Sequence, residues 1–484
     1  MKSLTFFASL LLIFSISGNT SADETKFRAG AAVADISPDV FPFQLRSGPS
    51  KYVHDPISVR ALAFENGKDN RCLIAIIDAI GIGREMADEA KLVVAAKTGW
   101  RPEEMMVAAT HAHTTPKGGT TSPDRIAYEK KRRSGLAEAM LKAIEALEPA
   151  RVGFASDEDP SEVRNRRNFY EEGVSSTLNP LGGYDKVRMN GGTRGIVKPA
   201  GPVDPEISVV DVRTARGKPL GLLANYALHY VGAIPSVTEP DGRVRGMASA
   251  DYFGEFARVM PFRMSSRPPE NFVAMMSNGA SGDINNIPFG IERAPRAPFE
   301  QCRIVAAKTA DASWRAVKKI EDYDTLPRIE TRQREVTLTY RTPTEEEVAK
   351  ALKLLELTSK ERNAIHSRTT SVATHTVKYA KPEKQRTENV IVQAFRIGDQ
   401  AIVSMPFEVL VEIGLEIKEK SPAPRTFLIE LANGSYGYLP PPNQHELGGY
   451  ETWLGTSRFE KDSSVILVKE LLEMLEELWA TPAG

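Results

Sequence analysis

Apolar residues along the chain fall into short runs, some unbroken and some at helical spacing, separated by polar, Gly- and Pro-rich stretches. "CLIAIIDAIGIG", beginning at Cys72, is rich in Ile and bounded by Gly81 and Gly83, which predicts a buried strand. Met86 to Thr98 has helical spacing, with Gly99 as its stop. "MMVAAT", beginning at Met105, predicts a short strand, and Leu136 to Leu147 a second amphipathic helix. "EISVVDVRTARGKPLGLLANYALHY" predicts a hairpin in which two apolar runs flank Ala215-Arg216-Gly217-Lys218 and Gly217 supplies the turn. "NFVAMMS" predicts a further strand running into the Gly-rich "NGASGD". "VIVQAFRIGDQAIVSMP" predicts a second hairpin turning at Gly398-Asp399. Helices are expected from about Pro298 to Ile320, after the capping box of Thr344 and Glu347, and from Ser464 to Trp479. Pro160 to Pro205 and Glu356 to Asn389 show little periodicity and read as long loops, the start of the second extending the helix before it. Strands alternating with helices predict an α/β fold: a mixed sheet or sheets flanked by helices, in a single large domain with long loops.

Composition narrows the function classes. At 484 residues, 41% hydrophobic and 26% charged, the chain has ordinary globular usage. Basic and acidic residues balance at 62 and 63, which gives no support for a nucleic-acid partner or a polybasic membrane patch. Residues 1–22 differ: Lys2, an apolar stretch from Phe6 to Ile16, then small polar residues ending in Thr20-Ser21-Ala22. This is the pattern of a secretory signal peptide cleaved near Ala22, and its apolar part is too short to span a bilayer. The mature chain, from about Asp23, is expected to be secreted or periplasmic, with membrane contact at most peripheral. Cys72 and Cys302 are the only cysteines. A disulfide between them and two buried thiols both remain open, and no cysteine metal cluster can form.

Chemistry-bearing residues recur where apolar runs end. Asp78 ends "CLIAII", His111 ends "MMVAAT", and His229 ends "LLANYAL"; "FVAMMSNGASG" leads to Asp283, "AIVSMPF" to Glu408, and "FLIELANGSYG" to Tyr438. In open α/β sheets, sites form beyond the carboxyl ends of strands, so these six endings are candidates for one cleft. His111 and His113, two of seven histidines, could approach one ion from one strand face. Taken singly, each has an ordinary alternative. A His-x-His pair and a lone His229 are commonly core or surface residues, Glu408 could interact with a helix dipole, and Asp78 could cap a loop. "NGASGD" could be a tight turn and Tyr438 a core residue.

The motifs together resemble the neutral, non-lysosomal ceramidase family, specifically its N-terminal catalytic domain. They are "AGAAVADISP" at Ala29, "DPISVRALAFENG" at Asp55, "ATHAHTTP" at Ala109 and "RNRRNFY" at Arg164; then "GPVDPEISVVDV" at Gly201, "ANYALHY" at Ala224 and "SADYFGEFAR" at Ser249. "NGASGDINN" at Asn278, "SMPFEV" at Ser404 and "ANGSYGY…GGYE" at Ala432 complete the series, in order, from about Phe27 to Trp479. The resemblance implies a catalytic domain over residues 23–484 and a zinc-dependent amidase that cleaves the N-acyl bond of a lipid such as ceramide by metal-activated water. It implies His111, His229, Glu408 and Tyr438 as ligands of Zn2+, although Phe407 stands where the family has glycine. It places His113, Arg166 and Tyr450 on the substrate side of the metal, with Asp283 in the catalytic set. Stabilisation of a developing oxyanion and proton transfer to the leaving amine are the roles that chemistry asks of such groups.

Two departures shape the expectation. The family has Gly-Asp-Val-Ser-Pro-Asn, often with the serine assigned as nucleophile, whereas Asn285 occupies that position here. The chain also reads as a divergent member without the family's C-terminal immunoglobulin-like domain. The leading reading is a secreted, zinc-dependent, ceramidase-like amidohydrolase of sphingolipid type acting on a small-molecule or lipid N-acyl substrate. The alternatives are a hydrolase of the same fold acting on another polar N-acyl or ester substrate, and a non-catalytic binding protein on this scaffold.

Overall fold

The computed structural model describes residues 27–173, 177–190, 194–292, 294–380 and 385–480. The proposed signal peptide, residues 1–22, lies outside them. Eight strands form a large sheet: β1 (Phe27–Asp35), β2 (Ser58–Asn66), β3 (Arg71–Ile77), β4 (Met105–Ala109), β5 (Glu148–Glu158), β6 (Glu206–Thr214), β7 (Pro219–Tyr226) and β8 (Val273–Asn278). Their spatial order is β8-β7-β6-β5-β1-β2-β3-β4. Neighbours run antiparallel except β7 with β8 and β3 with β4, which are parallel, so the sheet is mixed. A smaller sheet lines up β9 (Ile329–Thr339), β10 (Thr387–Ile397), β11 (Gln400–Ser404) and β12 (Arg425–Ile429), with β11 and β12 parallel.

Alternation along the strands explains the layering. Val59, Ala61 and Ala63 of β2 face helices α1 (Arg84–Thr98) and α2 (Pro123–Glu145), while Leu62 and Phe64 face the other way. The same alternation on β7 and β8 sends Leu222, Ala224, Ala274 and Met276 towards helices α3 (Asp251–Met264) and α4 (Glu300–Lys318). The opposite face, with Leu62, Phe64, Ile74 and Met275, packs on Phe395, Ile402 and Phe427 of the small sheet. The small sheet is covered in turn by the helices Val411–Lys420 and Ser463–Trp479. The result is four layers: helix, sheet, sheet, helix. Strands buried on both faces read as unbroken apolar runs, as "CLIAII" does.

The expected α/β class with mixed sheets and flanking helices is what the molecule has; the stacking of one sheet on the other is an addition. Two segments differ from expectation. α2 begins at Pro123 rather than Leu136, because its first half carries few buried residues and so shows no apolar stripe. Glu356 to Asn389 is not a loop but holds two more helices, Ser359–Ile365 and Thr369–Tyr379, the first with its own capping box from Thr358 and Glu361. The described residues of Pro160 to Pro205 contribute only short strands, Arg164–Asn165, Arg167–Tyr170, Arg188–Met189 and Ile196–Pro199. Cys72 and Cys302 are free, buried thiols in different cores. Among the described residues, no helix is long and apolar enough to cross a membrane.

The sheets meet at the end that carries the candidate chemistry. The loop after β12 runs along the edge strand β4: Ala109 N donates to Leu431 O, and Asn433 N donates to Val107 O. Glu430 N donates to Asn278 O at the end of β8. The segments following β4, β7, β8, β11 and β12 are thereby gathered at one edge.

Candidate metal centre and active-site cleft

His111 stands two residues beyond the end of β4, in the left-handed region at φ 64°. Only strong local constraint holds a non-Gly residue there, and such strain gathers at functional sites. The turn replaces the expected strand face as the reason that His111 and His113 converge. His111 Nε2 lies 3.1 Å from His113 Nε2 and 3.1 Å from His229 Nε2. Glu408 Oε2 sits 3.3 Å from His111 Nε2 and 3.9 Å from His229 Nε2. The three imidazoles form a metal-competent group, their ligating atoms all within 4.8 Å of one another.

Hydrogen bonds behind the rings fix their protonation. His111 Nδ1 meets Ile80 O at 2.6 Å, and His229 Nδ1 meets Ser281 O at 3.0 Å. A carbonyl only accepts, so each Nδ1 bears a proton; against its burial, Glu408 holds His111 above the ordinary histidine value, so the His111 Nε2 proton is the one a metal would displace. Burial, reinforced by Arg166, holds His229 well below the ordinary histidine value. Burial, with His111 and Arg46, pushes His113 down to about 2. Both are therefore neutral, the form that binds metals. Burial alone would raise the Glu408 carboxyl, but His111, a hydrogen bond from Tyr438 and the charge of Arg166 outweigh it and hold Glu408 below the usual carboxylate value. Glu408 Oε2 is buried and has no hydrogen-bond partner. Donor atoms this close need positive charge among them, supplied by a proton on His111 or by a metal ion in its place. Ligand atoms about 2.1 Å from a tetrahedral zinc lie roughly 3.3–3.4 Å apart, a value that the 3.1, 3.3 and 3.9 Å among His111, His229 and Glu408 bracket. The donor set fits a divalent cation.

Glu408 and Tyr438 are brought side by side by strand register: Glu408–Val409 pairs in parallel with Tyr438–Leu439, Glu408 opposite Tyr438. Phe407, before Glu408, is fully buried in the core beneath the small sheet. The Tyr438 hydroxyl accepts from Arg166 Nη2 at 3.0 Å. Arg166 is itself held by Gly282 O at 2.7 Å and by Glu451 Oε1 at 3.2 Å. Glu451 also binds Arg167 Nη1 at 2.7 Å, and both of those side chains are fully buried. The Tyr450 ring stands 5.6 Å from that of Tyr438. His113 is stacked on Tyr230, centroids 3.7 Å apart.

His111, His113, His229, Glu408, Tyr438, Arg166 and Tyr450 thus gather at one place, and a cleft of about 390 Å³ opens over them. Asp283 lies just behind. Its carboxylate accepts from Asn165 Nδ2 at 2.7 Å and from Val411 N at 2.8 Å, its backbone carbonyl accepts from Arg166 N, and burial raises it to about 6. Asp78 does not join them: it accepts from Ser58 N and pairs with Arg60 on the adjoining strand. The Asn285 side chain accepts from Ile287 N and so braces its own turn.

Several participants lie outside the site set expected from the sequence. Glu430 stands inside the apolar "FLIEL", and a charge within a buried run is a signal in itself. It accepts from the Ser281 hydroxyl and from Val409 N, tying the segments that carry His229's partner and Glu408; burial raises it to about 8. Asp251, at φ 58°, accepts from Val231 N and Gly232 N and so shapes the cleft wall after His229. Arg46 and Arg368 reach the cleft from distant loops, and no local pattern marks them.

The chain has a neutral ceramidase-like fold. It is similar to the crystal structure of neutral ceramidase from Pseudomonas aeruginosa, with a TM-score of 0.67 at 18% identity over 93% of this chain and 74% of that one. A second similar structure is a ceramidase complexed with C2, with a TM-score of 0.66 at 15% identity over 93% of this chain and 75% of that one. By sequence the chain matches no family model and no curated relative.

Proposed function

We propose that this protein is a zinc-dependent hydrolase that cleaves an N-acyl amide bond. The observation that carries the reading is the convergence of three imidazoles and the unpartnered Glu408 oxygen at the base of a cleft. Likeness to ceramidase structures supports the reaction class, and zinc is the metal best matched by nitrogen ligands with one carboxylate. His111, His229 and Glu408 are the proposed ligands, with Tyr438, hydrogen-bonded to Glu408, beside them as the fourth. A bound zinc would activate water and polarise the scissile carbonyl.

The chain's own groups would do the rest. Arg166 is locked by Gly282, Glu451 and Tyr438, so its charge is oriented before substrate arrives. With Tyr450 it would stabilise negative charge growing on the carbonyl oxygen. His113, neutral and stacked on Tyr230, would carry the proton to the leaving amine. Asp283 would position Arg166 and the start of the helix Val411–Lys420 without touching substrate. Residues 23–484 would then act as one catalytic unit, exported if residues 1–22 are a leader.

The test is a screen of N-acyl substrates with metal-replete protein and with protein stripped by chelation. Turnover that chelation removes and zinc restores is expected. Equal turnover in both preparations would refute the metal's role, and stoichiometric zinc without turnover of any amide or ester would leave a binding protein.

A further inference from the structure

Two arginines besides Arg166 line the cleft. Arg46 projects from the turn between the short strands Phe43–Leu45 and Gly48–Ser50, and Arg368 immediately precedes the helix Thr369–Tyr379. Among the described residues, neither guanidinium makes an ion pair or a hydrogen bond; Arg368 only stacks over the Tyr450 ring, 5.3 Å from its centroid. The field of Arg46 reaches His113, and that of Arg368 reaches Tyr450. Among the described residues, no Asp or Glu lines the walls of this cleft. Glu408, on the cleft floor, faces His111 and His229 and is one of the proposed metal ligands, and Glu451 is already shared by Arg166 and Arg167.

The cleft does not end at Arg368. A second hollow of about 410 Å³ shares Arg368, Tyr450, Met189 and Asn190 with it and continues past His366 to Trp453. Its one acid among the described residues, Asp185, is engaged by the Trp453 indole N–H and by Asn179. Arg368 therefore stands at the waist of a continuous groove, its charge unanswered. An unpaired cation held in a groove concentrates anions there, and a planar guanidinium suits an oxyanion.

We propose that the natural substrate bears an oxyanion, a carboxylate or a phosphate, which Arg368 binds at the waist of the groove with Arg46 supporting it from the opposite chain segment. This rests on the hydrolase reading for the bond that is cut, but not for the anion that is bound. A neutral lipid amide would leave both guanidinium groups without a partner.

The experiment compares four probes on metal-replete protein: N-hexanoylglycine, N-hexanoylglycinamide, N-hexanoylethanolamine phosphate and N-hexanoylethanolamine. Binding is measured by calorimetry and turnover by release of amine. The charged member of at least one pair is expected to exceed its neutral partner about ten- to a hundredfold in affinity or in kcat/KM, the scale of a hydrogen bond to a charged group. Which pair shows the preference separates carboxylate from phosphate. Arg368→Gln should collapse the preference towards one, while Arg368→Lys keeps part of it; the melting temperature of each variant verifies folding. A charged-to-neutral ratio near one in the native protein, or a ratio unchanged by Arg368→Gln and Arg46→Gln, overturns the proposal. Charge-selective binding that depends on Arg368, with no turnover of any probe, would uphold the anion site and defeat the hydrolase reading.

Discussion

At the floor of the cleft, His111 and His229 each commit one ring nitrogen to a backbone carbonyl, whereas at the rim the guanidinium groups of Arg46 and Arg368 make no hydrogen bond or ion pair among the described residues. The floor hangs on sheet ends, strand register and a fully buried Arg167–Glu451 pair. The rim comes from loops separated by hundreds of positions in sequence. A rigid scaffold that fixes reactive groups and loops that meet the variable part of a ligand is a common division of labour. On the proposed function, it separates the bond to be cut, assigned to the floor, from the substrate's identity, assigned to the rim.

Substitutions can break this contrast. The largest effect on turnover is expected from Glu408→Ala, which removes the one carboxylate among the donors. Metal content should fall to background and turnover by more than about a hundredfold, beyond what loss of a supporting group costs. Metal analysis and rate measurement on folded protein check it, and full retention of both would remove Glu408 from the floor. His113→Ala should keep the metal yet lower kcat by about 10²–10⁴, the range of general acid–base catalysis. Parallel loss of metal would make His113 a ligand instead of a proton carrier.

Glu451→Gln strips the shared carboxylate from two buried guanidinium groups. Breaking a buried pair costs about 3–5 kcal/mol, read as a lower denaturation midpoint, with a smaller fall in turnover as Arg166 loosens. A change within about 0.5 kcal/mol would show that the floor does not depend on this network.

The smallest effect on catalysis, none, is expected from Lys91→Met. Lys91 is buried on α1 with no partner for its ammonium group, and burial lowers it to about 7. An unfolded lysine titrates near 10.4. Between those values the unfolded chain binds more protons than the folded one, so native stability rises with pH across that window. Below about pH 7 the buried charge carries its full penalty. The variant should therefore melt higher than the native protein below pH 7, with the gain shrinking as pH climbs towards 10. A gain independent of pH would mean that repacking, not charge, was relieved.

Much of the fold was legible because both faces of most strands are buried, which gives unbroken apolar runs, and because Gly99, Gly217 and Gly398 sit at positive φ where the chain turns. His111, His229 and Glu408 were legible as strand endings. The same rule overcounted Asp78, since a carboxylate at a strand end can be satisfied by its own sheet. Sheet-on-sheet stacking was not legible, because an apolar run does not say what covers it. Glu430 was passed over within its run, and Arg46 and Arg368 acquire meaning only once distant loops close over the cleft.

Anomalous diffraction at the zinc absorption edge, on crystals of metal-replete protein, tests the centre most directly. A single strong peak is expected about 2.0–2.2 Å from His111 Nε2, His229 Nε2 and a Glu408 oxygen. A peak coordinated elsewhere, or none at stoichiometric zinc, would contradict the metal centre and with it the hydrolase reading.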